Sequence, residues 1–345
     1  MGLLPVELPA PLARACLLAR AGQTTAALRA LEEARAGGEV ASGSTAMALL
    51  TAETVDCRLA RGDLGAAMAL GDELLPRLEQ HDLAAGIAHH AHGELAAALQ
   101  ESEKALHHFV TAGQLAAGAA GSAGSAGSAG AAGADGADAG SLPWRVGAAL
   151  ASVRLGHRVE AARLAREQLE LAGTGGSPYA LALALRTLAT TTAGVASLTL
   201  LRRARTTLAG LPTGRLTAQV DTDLAGLLVL TGGGAAAGDE ALMLLRRAEE
   251  YAAREELWPL QGRVRRLLDR LGASHRPSHA EALAVLTRTE RRVARLAADG
   301  LTNRAIAGQL DVGVKAVEWH LSRVYRKLGI ASRTRLAAAL GPAPV

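Results

Sequence analysis

Aromatic side chains are almost missing from this chain, which has one phenylalanine, three tyrosines and three tryptophans in 345 residues. That scarcity excludes the stacking platforms on which single-stranded nucleic acid is held. Cysteine is as rare. Cys16 and Cys57 each sit in an apolar helical context and read as buried reduced thiols rather than a disulfide. No apolar run has the length of a membrane span: Thr187 to Leu201 is uncharged but short and Thr-rich, and the longer uncharged stretch after Ala105 is Gly, Ser and His. No secretory leader is expected, because Pro5, Glu7, Pro9 and Pro11 interrupt the N-terminus and the first basic residue is Arg14. The expected location is the cytoplasm. Runs of β-branched residues are lacking too, and a composition rich in Ala, Leu, Gly and Arg predicts helices throughout.

Chemical motifs are equally sparse. No G-x-x-x-x-G-K-[ST] loop occurs, so no ATP hydrolysis is expected. Gly232 to Gly234 follows an apolar run without a subsequent Lys or Ser/Thr and reads as a turn. The densest polar group is His81, His89, His90, His92, His107 and His108, with Glu94, Glu101 and Glu103 nearby. His89 and His92 share a helix face and could form half a metal site, but no HExxH pattern or Cys spacing completes one. The bland reading, polar histidines on exposed helix faces, is preferred. We expect no metal, no cofactor and no enzymatic activity.

What is present is helical periodicity. Residues 1–113 read as paired helices: Pro11 to Ala21 with Thr24 to Ala36, Thr45 to Ala60 with Leu64 to Gln80, and a pair over His81 to Ala112. Residues 114–140 are a Gly/Ala/Ser low-complexity linker, since glycine at that density does not fix a backbone. Pairing resumes over 141–271, with helices at Pro143 to Leu155, Val159 to Leu171, Pro178 to Ala193, Val195 to Leu208, Leu216 to Leu230, Asp239 to Ala253 and Trp258 to Leu271. Residues 272–284, with Pro277, suit a hinge. The expected fold is all-α: a helical-repeat, tetratricopeptide-like solenoid followed by a four-helix domain at 285–345.

That last segment is the most informative. Thr287 and Glu290 have capping-box spacing, Asp299-Gly300 stops the helix, and Thr302 can cap a short second helix ending at Leu310. After the Asp311-Val312-Gly313 turn, Val317, Leu321, Val324 and Leu328 form the buried stripe of a third helix. Lys315, Glu318, Trp319, Ser322, Arg323 and Arg326 are left on its outer face. Two helices joined by a tight turn, the second polar and cationic outside, suit entry into a DNA major groove. Charge agrees: 285–345 holds eleven Lys and Arg and four Asp and Glu, a balance of +7, whereas the rest of the chain holds 26 and 29, or −3.

The pieces LT-x-x-E at 286–290, GLTNRAIAGQL at 300–310, V-E-W-H-L at 317–321, VYRKLGI at 324–330 and SR at 332–333 resemble the C-terminal DNA-binding domain of LuxR/NarL-family bacterial transcription regulators. The chain departs from that pattern at Gly313 and Ala316, where the family usually has Ser and Thr, and alanine has no hydroxyl to offer a phosphate. The resemblance implies that helix 315–328 enters the major groove with Glu318, Trp319, Ser322 and Arg323 at base-reading positions. A carboxylate accepts from cytosine N4, an indole lies against a thymine methyl, and a hydroxyl pairs with either edge. Thr302, Asn303, Arg304, Lys315, Arg326 and Lys327 would hold phosphates. Trp319 as core and Glu318 as solvated surface are the competing readings, while His320, a lone histidine beside the stripe, reads as structural. Dimerisation through Leu336 and Leu340 of the last helix is also implied. The run from Pro143 to Leu169 and the approach to the reader from Leu244 resemble, more weakly, the helical repeats of the large ATP-binding LuxR-type regulators, here without their nucleotide-binding module.

The expected function is a sequence-specific, double-stranded DNA-binding transcription regulator, a homodimer on DNA, with repeats serving an effector, a protein partner or self-association. The alternative is a repeat scaffold whose C-terminal domain binds DNA weakly or docks on RNA polymerase.

Overall fold

Polar caps and left-handed glycines divide the chain into short helices. Ser44, Asp82 and Ser177 each accept a hydrogen bond from the amide three residues on, satisfying a donor that the first helical turn leaves over. Gly62 and Gly232 end their helices in the left-handed region. The computed structural model describes residues 8–124, 142–273 and 286–340, apart from positions 175, 193, 233, 329 and 331. Among these residues there is no strand, and no helix is long and apolar enough to cross a membrane. The chain divides into two compact units, Met1–Leu257 and Trp258–Val345.

The first unit is a succession of helix pairs: α1 (Ala10–Arg20) with α2 (Thr24–Ala36), α3 (Thr45–Arg61) with α4 (Leu64–Leu74), α5 (Leu83–Ala98) with α6 (Ser102–Gly124), α7 (Trp144–Arg154) with α8 (Arg158–Gly173), α9 (Pro178–Thr191) with α10 (Val195–Thr207), and α11 (Gly214–Thr231) with α12 (Gly234–Arg254). The odd-numbered helices contact one another in sequence order and form an inner layer. Alanine dominates where helices touch, as at Ala84, Ala88, Ala148 and Ala149, all buried. The single phenylalanine, Phe109, is buried in the slot left by Gly93 and Gly147. A methyl at Gly147 would stand 2.5 Å from the ring, so the slot exists because glycine lines it.

Three boundaries differ from the sequence reading. Helix α6 continues to Gly124, so the first part of the expected 114–140 linker is helical; alanines 116, 117, 119 and 120 offset the glycines among them. The remainder, 125–140, lies outside the described residues, as does 274–284 of the expected hinge. The repeats expected on either side of that linker form one unit, because α6 packs on α7. The helix expected to end the repeats, α13 (Trp258–Arg270), belongs instead to the second unit.

The first unit closes on itself. Gly214 N donates to Ala21 O at 3.1 Å, the Tyr251 hydroxyl donates to Gly22 O, and Thr25 N donates to Glu255 at 3.3 Å. Arg61 pairs with Glu256. Gly22 has φ +81 and lies against Arg215 and Tyr251, so both conformation and space demand glycine there. On the inner layer Arg215 grips Asp56 with two bonds of 2.5 and 2.9 Å across 159 residues of sequence. Burial works against the Asp56 carboxylate, but the guanidinium holds it below the ordinary range. Nearby, Glu53 and Glu94 are pushed up to about 7 by burial and by the Asp56 charge. Cys16 and Cys57 are buried, unpaired thiols beside this cluster.

Candidate nucleic-acid interface

In the second unit the Thr287 hydroxyl accepts from Glu290 N at 3.2 Å while Glu290 accepts from Thr287 N at 2.9 Å. This reciprocal cap starts α14 (Arg288–Ala298). Thr302 accepts from Ala305 N and starts α15 (Asn303–Leu310). Asp311, at φ 53, makes the left-handed turn into α16 (Val314–Leu328). The stripe Val317, Leu321, Val324 and Leu328 is buried against Val293 and Ile306. Helix α17 (Leu336–Leu340) closes the core against α14.

The face opposite that stripe is polar and open. Lys315, Glu318, Trp319 and Ser322 are exposed on α16, as is Arg304 on α15. Trp319 is 53% exposed, which rules out its reading as core. The Arg323 guanidinium lies 4.7 Å over its ring, and the His320 ring meets it edge-on at 4.9 Å. Burial lowers the His320 pKa, with the Arg323 charge acting in the same direction. The Ser322 hydroxyl donates to Glu318 O and retains its acceptor capacity.

Beneath this face sits Glu290, only 2% exposed. It accepts from Lys327 Nζ at 2.6 Å and from Arg323 Nε at 3.1 Å. Despite its burial, the carboxyl is held below its ordinary range by the Lys327 ammonium and the Thr287 amide. One buried carboxylate thus caps α14 and anchors the Arg323 side chain that covers Trp319.

Several expected site residues take other positions. Lys327, expected at a phosphate, has a side chain only 10% exposed with its ammonium on Glu290. Asn303, also expected there, is half-buried and accepts from Arg333, which further donates to Leu301 O. Arg326 is partly buried on α16, and Thr302 is exposed with its hydroxyl accepting the cap bond. Leu336 and Leu340 are 0% and 1% exposed and belong to the domain core. Their side chains fill the domain's own core rather than lying open on its surface.

The sequence reading missed the second task of Glu290. Its capping role was visible in the spacing to Thr287, whereas Arg323 and Lys327 are 33 and 37 residues away and meet it only through tertiary packing. The histidine group resolves as a packed cluster. His89 Nδ1 lies 2.9 Å from His108 Nδ1, and the His92 and His108 rings stack at 5.5 Å. His89 Nε2 and His92 Nε2 face the carbonyls of Leu78 and Gly71. Burial, with the neighbouring histidines, pushes His108 down to about 4. The rings thus pack helices against one another, and no group of three His, Cys, Asp or Glu side chains is placed to hold a metal ion among the described residues.

Residues 284–340 match the family model of bacterial regulatory proteins, luxR family. Over 65 residues the chain is 46% identical to an HTH-type transcriptional regulator of Mycobacterium bovis and 45% identical to one of Mycobacterium tuberculosis. Each match covers 19% of this chain and 7% of the relative.

Proposed function

We propose, from the premise that residues 284–340 are a luxR-family helix-turn-helix domain, that this protein is a transcription regulator reading double-stranded DNA with α16. The observation that carries the reading is the open face of α16. Lys315, Glu318, Trp319 and Ser322 are solvent-facing on a helix whose opposite stripe is the core. Glu318, Trp319 and Ser322 take the base edges, with Arg323 holding the indole in place from behind. Arg304, Lys315 and Thr302 take phosphates, which fixes register without selecting sequence. Arg326 remains a candidate at the phosphate margin. A homodimer on inverted half-sites remains part of the reading, through a surface other than Leu336 and Leu340. The helical-repeat unit serves an effector or partner.

The test is selection of genomic duplex fragments by the full chain at near-physiological salt. Enrichment of one shared motif is the expected result. Recovery of fragments without sequence preference, at any salt concentration, would overturn it.

A further inference from the structure

Between α10, α11 and α12 of the first unit lies a cavity of about 530 Å³. That size falls within the range of small-molecule sites, on the order of 300–1,000 Å³. Its wall is apolar at Leu208, Leu211 and Ala248 and charged at Arg205, Asp221 and Arg247. Two guanidinium groups therefore meet one carboxylate. Asp221 is 2% exposed and accepts from Arg205 Nε at 2.8 Å, so its charge is already engaged. Arg247 is exposed, and its charge acts on Asp221 from a distance, without an ion-pair contact among the described residues. The lining thus combines apolar side chains with one cation in excess.

We propose that this cavity binds a small organic monocarboxylate, its carboxylate taken by Arg247 beside Arg205 and its apolar body lying against Leu208 and Leu211. One negative charge balances the excess. A second would meet Asp221, and an ammonium would meet two arginines. Arginine suits the task because its fork of N–H donors matches a carboxylate in the plane. The position also has a consequence. Gly214 and Tyr251 line the same cavity, and both bond the α1–α2 turn at Ala21 and Gly22. An occupant touching them favours the closed form of the unit. This inference rests on the effector part of the proposed function for its biological use, but its test needs no DNA and fails or succeeds independently of base reading.

The experiment is calorimetric titration of the full chain with straight-chain carboxylates from acetate to octanoate, with hexanol and hexylamine as controls of matched skeleton. Saturable binding of the longer carboxylates is expected, with hexanol and hexylamine binding at least about tenfold more weakly than hexanoate. Arg247→Gln, an exposed substitution checked for folding by its melting curve, weakens octanoate about tenfold or more, and Arg247→Lys recovers part of the loss. Saturable heat absent from every carboxylate, affinity unchanged in Arg247→Gln, or equal binding of hexanol would each overturn the proposal.

Discussion

Lys327 Nζ donates to Glu290 Oε2 at 2.6 Å, tying the last turn of α16 to the first turn of α14. Both side chains are almost fully covered, at 10% and 3% exposure, so neither charge can fall back on water if the other is removed. Glu290→Ala is expected to destabilise the second unit by about 3 kcal/mol or more, since it leaves Lys327 buried without its counter-charge and removes a cap. Denaturant unfolding followed by helix signal measures this, and a loss under about 1 kcal/mol would count against the network. The Glu290 pKa is lowered in the fold, so its contribution is present above the unfolded value of 4.5 and is lost as pH falls through the folded value.

Groove and backbone residues should separate by the kind of binding they lose. Trp319→Ala and Ser322→Ala are expected to relax sequence preference, whereas Lys315→Ala and Arg304→Ala weaken all duplexes alike and reduce the salt slope by about one unit each. Lys327→Gln, by contrast, should lower stability and leave that slope largely unchanged. Affinities for matched and scrambled duplexes at several salt concentrations decide it. A preference that survives loss of both Trp319 and Ser322 would move base reading to another face.

Much of this was legible before the fold was known. The Thr287–Glu290 spacing and the Val317, Leu321, Val324, Leu328 stripe are local signals, and both recur in the structure unchanged. Helix pairs were legible for the same reason. Contacts between distant segments were not: nothing near Arg215 in sequence points to Asp56, and nothing near Leu336 tells a core leucine from one offered to a partner. A stripe says which residues are covered, never by what.

Arg215→Ala removes the cation standing among Asp56, Glu53 and Glu94. The first unit is expected to lose about 1–3 kcal/mol, a figure kept modest because the Asp56 side chain is 39% exposed. Calorimetric melting of the full chain checks it. A variant melting with the wild type would mean that the pair contributes no net stability.

The inner layer should also show in the pH dependence of unfolding. Glu94 is raised to about 7, so its contribution is full below 4.5 and is lost as pH rises through 7. Glu94→Gln should therefore be more stable than wild type at pH 8, by on the order of 1 kcal/mol, with the difference fading in acid. His108 runs the other way: its contribution is present above 6.5 and lost as pH falls through about 4. His108→Gln should flatten that acid limb. Stability profiles of the two variants that parallel the wild type over the whole range would contradict both assignments.

Gly147→Ala offers a steric test. Alanine is the better helix former by about 1 kcal/mol, yet its methyl would press on the Phe109 ring. Overpacking is expected to win, for a net loss of about 1–2 kcal/mol, read from the unfolding midpoint. A gain in stability would show that Phe109 can retreat.

The bonds joining Ala21, Gly22 and Thr25 to Gly214, Tyr251 and Glu255 fix an arithmetic. An open array of stacked repeats can gain or lose a unit and continue as before, because each repeat meets only its neighbours. Here one helix pair more or fewer would carry Tyr251 past Gly22 and leave Arg215 with no acid to hold. Duplication or deletion of a pair, the ordinary route by which repeat proteins change length, is therefore closed to the segment from α1 to α12, and its number of repeats is as much a part of its structure as any side chain.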